Sequence, residues 1–146
     1  MGVLRYSVGN ENDPGDPWGR SQLVVQPDGA ARLDHRFSRT QAVGAWTGRV
    51  DAAALDALWS ALQQARFPAA PTTPSVPGAA PRHIVVERDG SVEQAFVDHH
   101  EAAGLPGYAQ AFDLLDAIIR QLSADEVPYP TRQSRTIVSE VAAVDR

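Results

Sequence analysis

The sequence contains no cysteine and no lysine, and each absence excludes a class of chemistry. Without cysteine the chain has no disulfide, no thiolate ligand for zinc and no thiol nucleophile. Without lysine it has no amine for a Schiff base or for pyridoxal phosphate, and no P-loop lysine. All 13 basic residues are therefore arginine, a usage that, with abundant Ala, Gly, Pro and Val, favours a GC-rich bacterial genome as the source.

Long apolar runs are missing as well. No stretch approaches the roughly 18 apolar residues of a membrane-spanning helix. The start, MGVLRYSVGNEND, lacks the apolar centre of a signal peptide, and Tyr6 stands where a myristoylation signal has Ser or Thr. We therefore expect a cytoplasmic protein with no membrane partner. A chain of 146 residues, 43% of them hydrophobic, is long enough for one domain with its own core.

The formal net charge of −5 is unevenly distributed along the chain. Residues 89–126 carry eight carboxylates and Arg120 as their only basic residue, whereas residues 1–88 and 127–146 are each close to neutral. A surface built from the acidic segment repels phosphates, so we expect no nucleic acid partner. It attracts a basic protein surface, and this favours a protein partner of that charge.

The first half of the chain has the alternation of β-strands. In residues 30–38, Leu33 and His35 fall on one face, while Arg32 and Arg36 fall on the other. The same pattern, bounded by turn residues, predicts four strands. They cover residues 3–8, 20–26, 30–38 and 41–50.

The second half combines two helices with a hairpin. Leu55, Leu58 and Leu62 form an apolar stripe that follows Asp51, a residue suited to the N-cap. Asp89 and Gly90 form the two-residue turn that joins a pair of strands. The predicted helices cover residues 51–67 and 106–123, and the predicted hairpin strands cover residues 82–88 and 91–98.

The element order is therefore ββββ-α-ββ-α. Tight turns imply antiparallel pairing, and two amphipathic helices need a sheet face to cover. We expect an α+β fold, a two-layer antiparallel sheet with both helices on one face. Residues 1–126 are predicted to form this domain. Residues 127–146 are predicted to form a C-terminal extension, either docked as a short element or loose.

Three stretches resemble small bacterial proteins that bind and silence another protein. They are the strand-rich start, TGRVDAAALDALWSALQQARFP and ERDGSVEQAFVD. The similarity is to toxin-immunity proteins and to emfourin-like protease inhibitors. It implies an α+β fold and a non-enzymatic, inhibitory role. The glycine-rich GGFxG-like signature of the emfourin group is not present, and AVGAWTG matches it only weakly. The resemblance therefore assigns no functional residue in this chain.

The predicted binding site is acidic. Four carboxylates lie around the start of the second helix, with Asp113 and Asp116 assigned to the side away from its apolar stripe and Asp116 paired with Arg120 at the i, i+4 spacing. A tryptophan that follows a loop is a further candidate anchor. The predicted partner-binding residues are Asp98, Glu101, Asp113, Asp116 and Trp18.

Histidines provide the alternative interpretation. The sequence DHHE at residues 98–101 would need His35 or His83 to complete a metal site, since only two ligands converge locally. We expect instead a strand end that leads into a helix, and no metal, cofactor or catalytic residue. A metal-binding or small-ligand protein or enzyme built on His35, His99 and His100 stays as an alternative. A further alternative is a structural or accessory subunit whose C-terminal segment adds to the sheet of a partner or of a second copy of the chain.

Overall fold

The structure is a computed structural model that describes residues 2–9, 19–69, 82–97 and 104–144. In this part of the chain nine elements follow one another, and the predicted order ββββ-α-ββ-α is confirmed, with one more strand at the end. The elements are β1 (Val3–Gly9), β2 (Arg20–Val25), β3 (Ala30–Arg36), β4 (Val43–Val50), α1 (Ala52–Gln64), β5 (Arg82–Arg88), β6 (Ser91–Val97), α2 (Tyr108–Leu122) and β7 (Val138–Ala143).

The strands form one seven-stranded antiparallel sheet in the order β6-β5-β1-β2-β3-β4-β7. The α+β class is therefore confirmed. The β5–β6 hairpin pairs with β1, which joins the two halves of the chain in one sheet. Asp89 and Gly90 have φ of 51° and 77°, as the predicted type I′ turn requires.

One face of the sheet supplies the core. Every second residue of the central strands is buried on this face, and these side chains form one apolar cluster with residues of α1 and α2. α2 approaches the sheet closely at Gly48, where a side chain would lie within 2.6 Å of Leu122. Side chains of the cluster that are at most 1% exposed include Leu4, Tyr6, Leu23, Leu33, Leu58, Ile84, Leu115 and Ile119.

α1 begins where the sequence predicts. The Asp51 carboxylate accepts a hydrogen bond from the Ala54 N–H at 2.7 Å, which is the expected N-cap. Leu55, Leu58 and Leu62 are buried as the periodicity predicts.

The segment predicted as a C-terminal extension packs against the sheet and α2. β7 pairs with β4 of the same chain. The side-chain oxygen of Gln121 on α2 accepts hydrogen bonds from the N–H groups of Ile137 at 2.8 Å and Val138 at 3.1 Å. Val127, Tyr129, Ile137 and Val138 all belong to the buried cluster. Residues 127–144 therefore pack on the rest of the domain, with β7 as a docked element, which is one of the two alternatives left open for this segment.

Candidate functional site

Asp116 is not on an exposed acidic face, and this placement from the sequence is wrong. Its side chain is 7% exposed and its carboxylate accepts hydrogen bonds from Arg82 Nη1 at 3.0 and 3.1 Å and from the Tyr6 hydroxyl at 2.9 Å. Arg120, the predicted i, i+4 partner, pairs with Asp125 at 2.7 Å. Asp116 can be buried because Arg82 and Tyr6, which belong to other elements, bind its carboxylate. A buried charge without such partners would be strongly destabilising.

Burial also shifts the titration of this cluster. It raises the pKa of Asp116 from 3.8 to about 6, against the opposing effects of Arg82 and of the Tyr6 hydrogen bond. Burial, and secondly the negative charge of Asp116, raises the pKa of Tyr6 well above 10. The Tyr6 hydroxyl therefore stays protonated and donates a hydrogen bond to Asp116. The three side chains join β1, β5 and α2, and each residue is at most 8% exposed. Tyr6, Arg82 and Asp116 therefore hold these three elements together and do not form a binding surface for a partner.

Of the other predicted partner-binding residues, only Asp113 lies within the described part of the chain. The Asp113 carboxylate accepts a hydrogen bond from the Arg132 N–H at 2.7 Å, which ties α2 to the C-terminal segment. Asp98, Glu101 and Trp18 lie outside the described residues. The DHHE stretch at residues 98–101 also lies outside the described residues, between β6, described as far as Val97, and α2, which begins at Tyr108.

His35 lies in the core, hydrogen-bonded as expected for a histidine on an apolar strand face. Its Nδ1 is 2.7 Å from the Ser21 hydroxyl, which in turn lies 3.1 Å from the Tyr129 hydroxyl. Ser21 is 0% exposed and His35 is 1% exposed, so this hydrogen-bonded pair is shielded from solvent. Within the described residues no group of three His, Asp or Glu could hold a metal ion. His99 and His100 are outside that part of the chain.

The opposite face of the sheet is exposed and carries a row of arginines. They lie at alternate strand positions whose side chains point away from the core. Three of them form ion pairs, at 2.9 Å with Glu87, 3.0 Å with Asp34 and 3.2 Å with Glu140. The arginines of this open face, in chain order, are Arg5, Arg20, Arg32, Arg36 and Arg49.

Arg20 and Arg36 form the distinctive feature of the open face. They are direct partners in the β2–β3 register, so two exposed guanidinium groups extend from opposite positions on the same face. Within the described residues Arg20 has no acidic partner, and Arg36 donates only to the backbone oxygen of Gln41 at 3.2 Å. Like charges placed directly opposite each other destabilise a sheet. An arrangement of this kind therefore favours binding of an anionic group.

The surface around this arginine pair is concave. Arg20 and Gln22 line a groove of about 280 Å³ on the side of β1 and β5 and a second groove of about 220 Å³ on the side of β3. Asp34 lies in the second groove, but Arg32 holds its carboxylate with two hydrogen bonds of 3.0 and 3.2 Å.

β6 adds apolar side chains to the open face. Val92 is 63% exposed and Phe96 is 56% exposed. The Phe96 ring stacks on the His83 ring with centroids 4.0 Å apart and planes 2° from parallel. His83 Nε2 also lies 3.0 Å from Gln94 Oε1. Phe96 is therefore held in place by its neighbours, although most of its surface faces solvent.

No protein-family model matches the chain, and no curated protein matches it either. In the described part of the chain, no helix is long and apolar enough to cross a membrane.

Proposed function

We propose that this chain is a non-enzymatic protein-binding module that blocks a partner protein, as toxin-immunity proteins and emfourin-like inhibitors do. Its docking surface is the open face of the sheet, centred on Arg20 and Arg36. The single observation that carries the proposal is the placement of these two exposed arginines directly opposite each other, without an acidic partner for Arg20 among the described residues.

The chemistry of the pair favours a carboxylate of the partner. A carboxylate between two guanidinium groups accepts several charge-assisted hydrogen bonds and relieves the repulsion between the arginines. Arginine is also enriched among the residues that contribute most to protein interfaces. We therefore expect an Asp or Glu of the partner at the centre of the contact, with the grooves on either side of Arg20 taking neighbouring side chains.

A protein partner fits the charge balance of the face better than nucleic acid does. Three of the five open-face arginines already pair with carboxylates of this chain. Within the described residues, Arg20 and Arg36 are then the two open-face arginines without a carboxylate partner, whereas tight binding of a nucleic acid needs basic residues at many phosphates. The net charge of −5 adds a repulsion that grows at low salt.

The sequence also predicted a basic partner surface for an acidic site. Asp116 no longer supports that site, because it is buried, whereas Asp113 is half-buried and its carboxylate also accepts the Arg132 N–H. The prediction now depends on Asp98, Glu101, Asp113 and Trp18. A partner with both acidic and basic patches would satisfy both expectations, with the acidic patch on the open face.

The test is capture of the partner with matched charge variants. The bait variant is Arg20→Glu/Arg36→Glu, and the control is Arg66→Glu/Arg135→Glu, which makes the same charge change at exposed positions off the open face. All three proteins are immobilised, exposed to a lysate of the source organism at low salt, and compared by mass spectrometry. Nuclease treatment separates protein from nucleic acid partners.

We expect the unmodified protein and the control to retain the same protein, which the bait variant loses. Retention of that protein by all three chains would contradict the open face as the docking surface. If the unmodified chain retains nothing, or only material that nuclease removes, the binding-protein proposal itself is wrong.

A further inference from the structure

We propose that β6 is the contact by which two copies of this chain form a symmetric dimer, with the two sheets joined edge to edge. Among the described residues, β6 is the last strand of the sheet on its side. Its sequence, SVEQAFV, has one charged residue, Glu93, and no proline. Edge strands that avoid pairing usually carry Lys, Pro, a bulge or an inward-pointing charge, and of these β6 has only Glu93, on the same side as Ala95 and Val97.

The opposite edge of the sheet differs in this respect. In β7, Glu140 has a positive φ of 55°, and the β4–β7 register shifts between Thr47 and Arg49. Such irregularities twist an edge away from further pairing. Of the two edges, β6 is therefore the regular one, and it offers seven residues in unbroken register.

The hairpin fixes which backbone groups of β6 point outward. Arg88 and Ser91 flank the two-residue turn as direct partners, and in such a hairpin this pair exchanges its N–H and C=O groups. Every second residue after Ser91 therefore bonds to β5. The N–H and C=O groups of Val92, Gln94 and Phe96 point to the free edge.

A two-fold axis beside Gln94 uses all of these groups. Antiparallel pairing of two β6 strands about this residue places Gln94 opposite Gln94 of the second copy and Val92 opposite Phe96 of the second copy. All seven residues of each strand then have a partner, since Ser91 meets Val97. The three outward-pointing residues of each copy meet the same three of the other, as the hydrogen-bonded pairs of an antiparallel ladder require.

The side chains are complementary in the same register. The exposed Val92 and Phe96 contact each other across the interface twice, so each covers part of the other's exposed apolar surface. Glu93 faces Ala95 of the second copy, so no two like charges meet. This self-complementarity is the reason for choosing a second copy, and not a foreign strand, as the occupant of the edge.

This inference does not depend on the proposed function. Arg20 and Arg36 lie on β2 and β3, separated from β6 by β5 and β1. The arginine pair therefore stays accessible in the dimer, which presents two such pairs on one continuous open face.

The first test is the mass of the protein in solution, measured by light scattering after size exclusion over a range of concentrations. We expect the unmodified chain to have twice its mass of 15.7 kDa. Val92→Lys/Phe96→Lys should be a folded monomer, because both side chains are exposed and each lysine would face another lysine. Val141→Lys changes an exposed apolar residue on β7 and should leave the dimer intact.

The second test is a covalent link at the proposed axis. The chain has no cysteine, so Gln94→Cys introduces a single thiol that faces its own copy in the dimer. Hydrogen-bonded partners have Cα atoms about 5.5 Å apart, which is within the range of a disulfide. Mild oxidation should convert Gln94→Cys to a linked dimer on a non-reducing gel, while Gln22→Cys, exposed on β2, should stay a monomer on that gel.

A monomeric unmodified chain at every concentration would overturn the proposal. So would a dimer that survives Val92→Lys/Phe96→Lys, or one in which Gln22→Cys and Gln94→Cys form links equally fast. Because these outcomes are read from mass and cross-linking alone, they are independent of the capture experiment with the arginine variants.

Discussion

At Asp116, burial and ion pairing act in opposite directions. Burial disfavours the ionised carboxylate, while Arg82 and Tyr6 hold it with three hydrogen bonds. The balance leaves the pKa at about 6, above the ordinary value of 3.8. A buried pair of this kind contributes little net stability, because desolvation offsets the attraction, but loss of one partner is costly. Its role is to fix α2 against β1 and β5.

The raised pKa of Asp116 predicts how stability changes with pH. Between about pH 4 and pH 6 the unfolded chain releases this proton before the folded chain does, so the free energy of unfolding falls as pH rises. The contribution of Asp116 is fully present below its unfolded pKa of 3.8 and is lost as pH rises through about 6. A shift of about two pKa units corresponds to about 3 kcal/mol.

Urea unfolding at a series of pH values checks this prediction. The unmodified chain is compared with Asp116→Asn, which does not titrate at this position. The difference in the free energy of unfolding between the two should change by about 3 kcal/mol from pH 4 to pH 7. Parallel pH profiles for both chains would show that Asp116 titrates normally and would contradict the assigned shift.

Among the elements, β7 and the segment before it are predicted to contribute to the stability of the fold. Ile137 is 1% exposed and belongs to the main cluster, although it lies in the region expected to be an extension. Ile137→Ala should lower the free energy of unfolding by about 2–4 kcal/mol, since it leaves a cavity in a packed core. Val141→Ala, at an exposed site on β7, should change it by about 0.5 kcal/mol or less.

Denaturant unfolding of both variants distinguishes a docked segment from a loose one. Equal stability of Ile137→Ala and the unmodified chain would mean that residues 127–144 do not belong to the folded core.

The elements also explain which parts of the fold could be predicted from the sequence. In β3, Leu33 and His35 alternate with Arg32 and Arg36, and a strand buried on one face requires this pattern. β7 gave no such signal, because Val138 is its only buried residue and the rest of the strand is exposed. Local alternation identifies a strand that packs on the core, but not an edge strand that is held mainly by backbone hydrogen bonds.

The candidate site was harder to predict for a related reason. Asp116 lies on the buried side of α2, and only its pairing with Arg82 of β5 permits this, so no local pattern could place it there. One feature of the sequence indicated that Arg82 is buried. It lies two residues before the core residue Ile84 in β5, so both side chains point to the same face of the sheet. Arg20 and Arg36 are sixteen positions apart in the sequence, and only the β2–β3 register brings them together.

At the scale of the molecule, charge must be assigned to faces and not to segments of sequence. The chain carries −5 overall, yet its open sheet face carries five arginines. Part of the acidic segment at residues 89–126 makes contacts within the molecule. Asp116 is buried, and the Asp113 carboxylate accepts a hydrogen bond from the Arg132 N–H. The arginine pair on β2 and β3 is therefore the basis of the proposed partner binding.

Arginine footprinting of the complex tests this claim most directly. The chain has no lysine, so an arginine-specific dicarbonyl reagent followed by mass spectrometry reports the accessibility of individual arginines without competing amines other than the N-terminus. With the captured partner bound, modification of Arg20 and Arg36 should slow strongly, while Arg66 and Arg135 should react at the rate of the free chain. Unchanged modification of Arg20 and Arg36 in a saturated complex would contradict the open face as the binding surface.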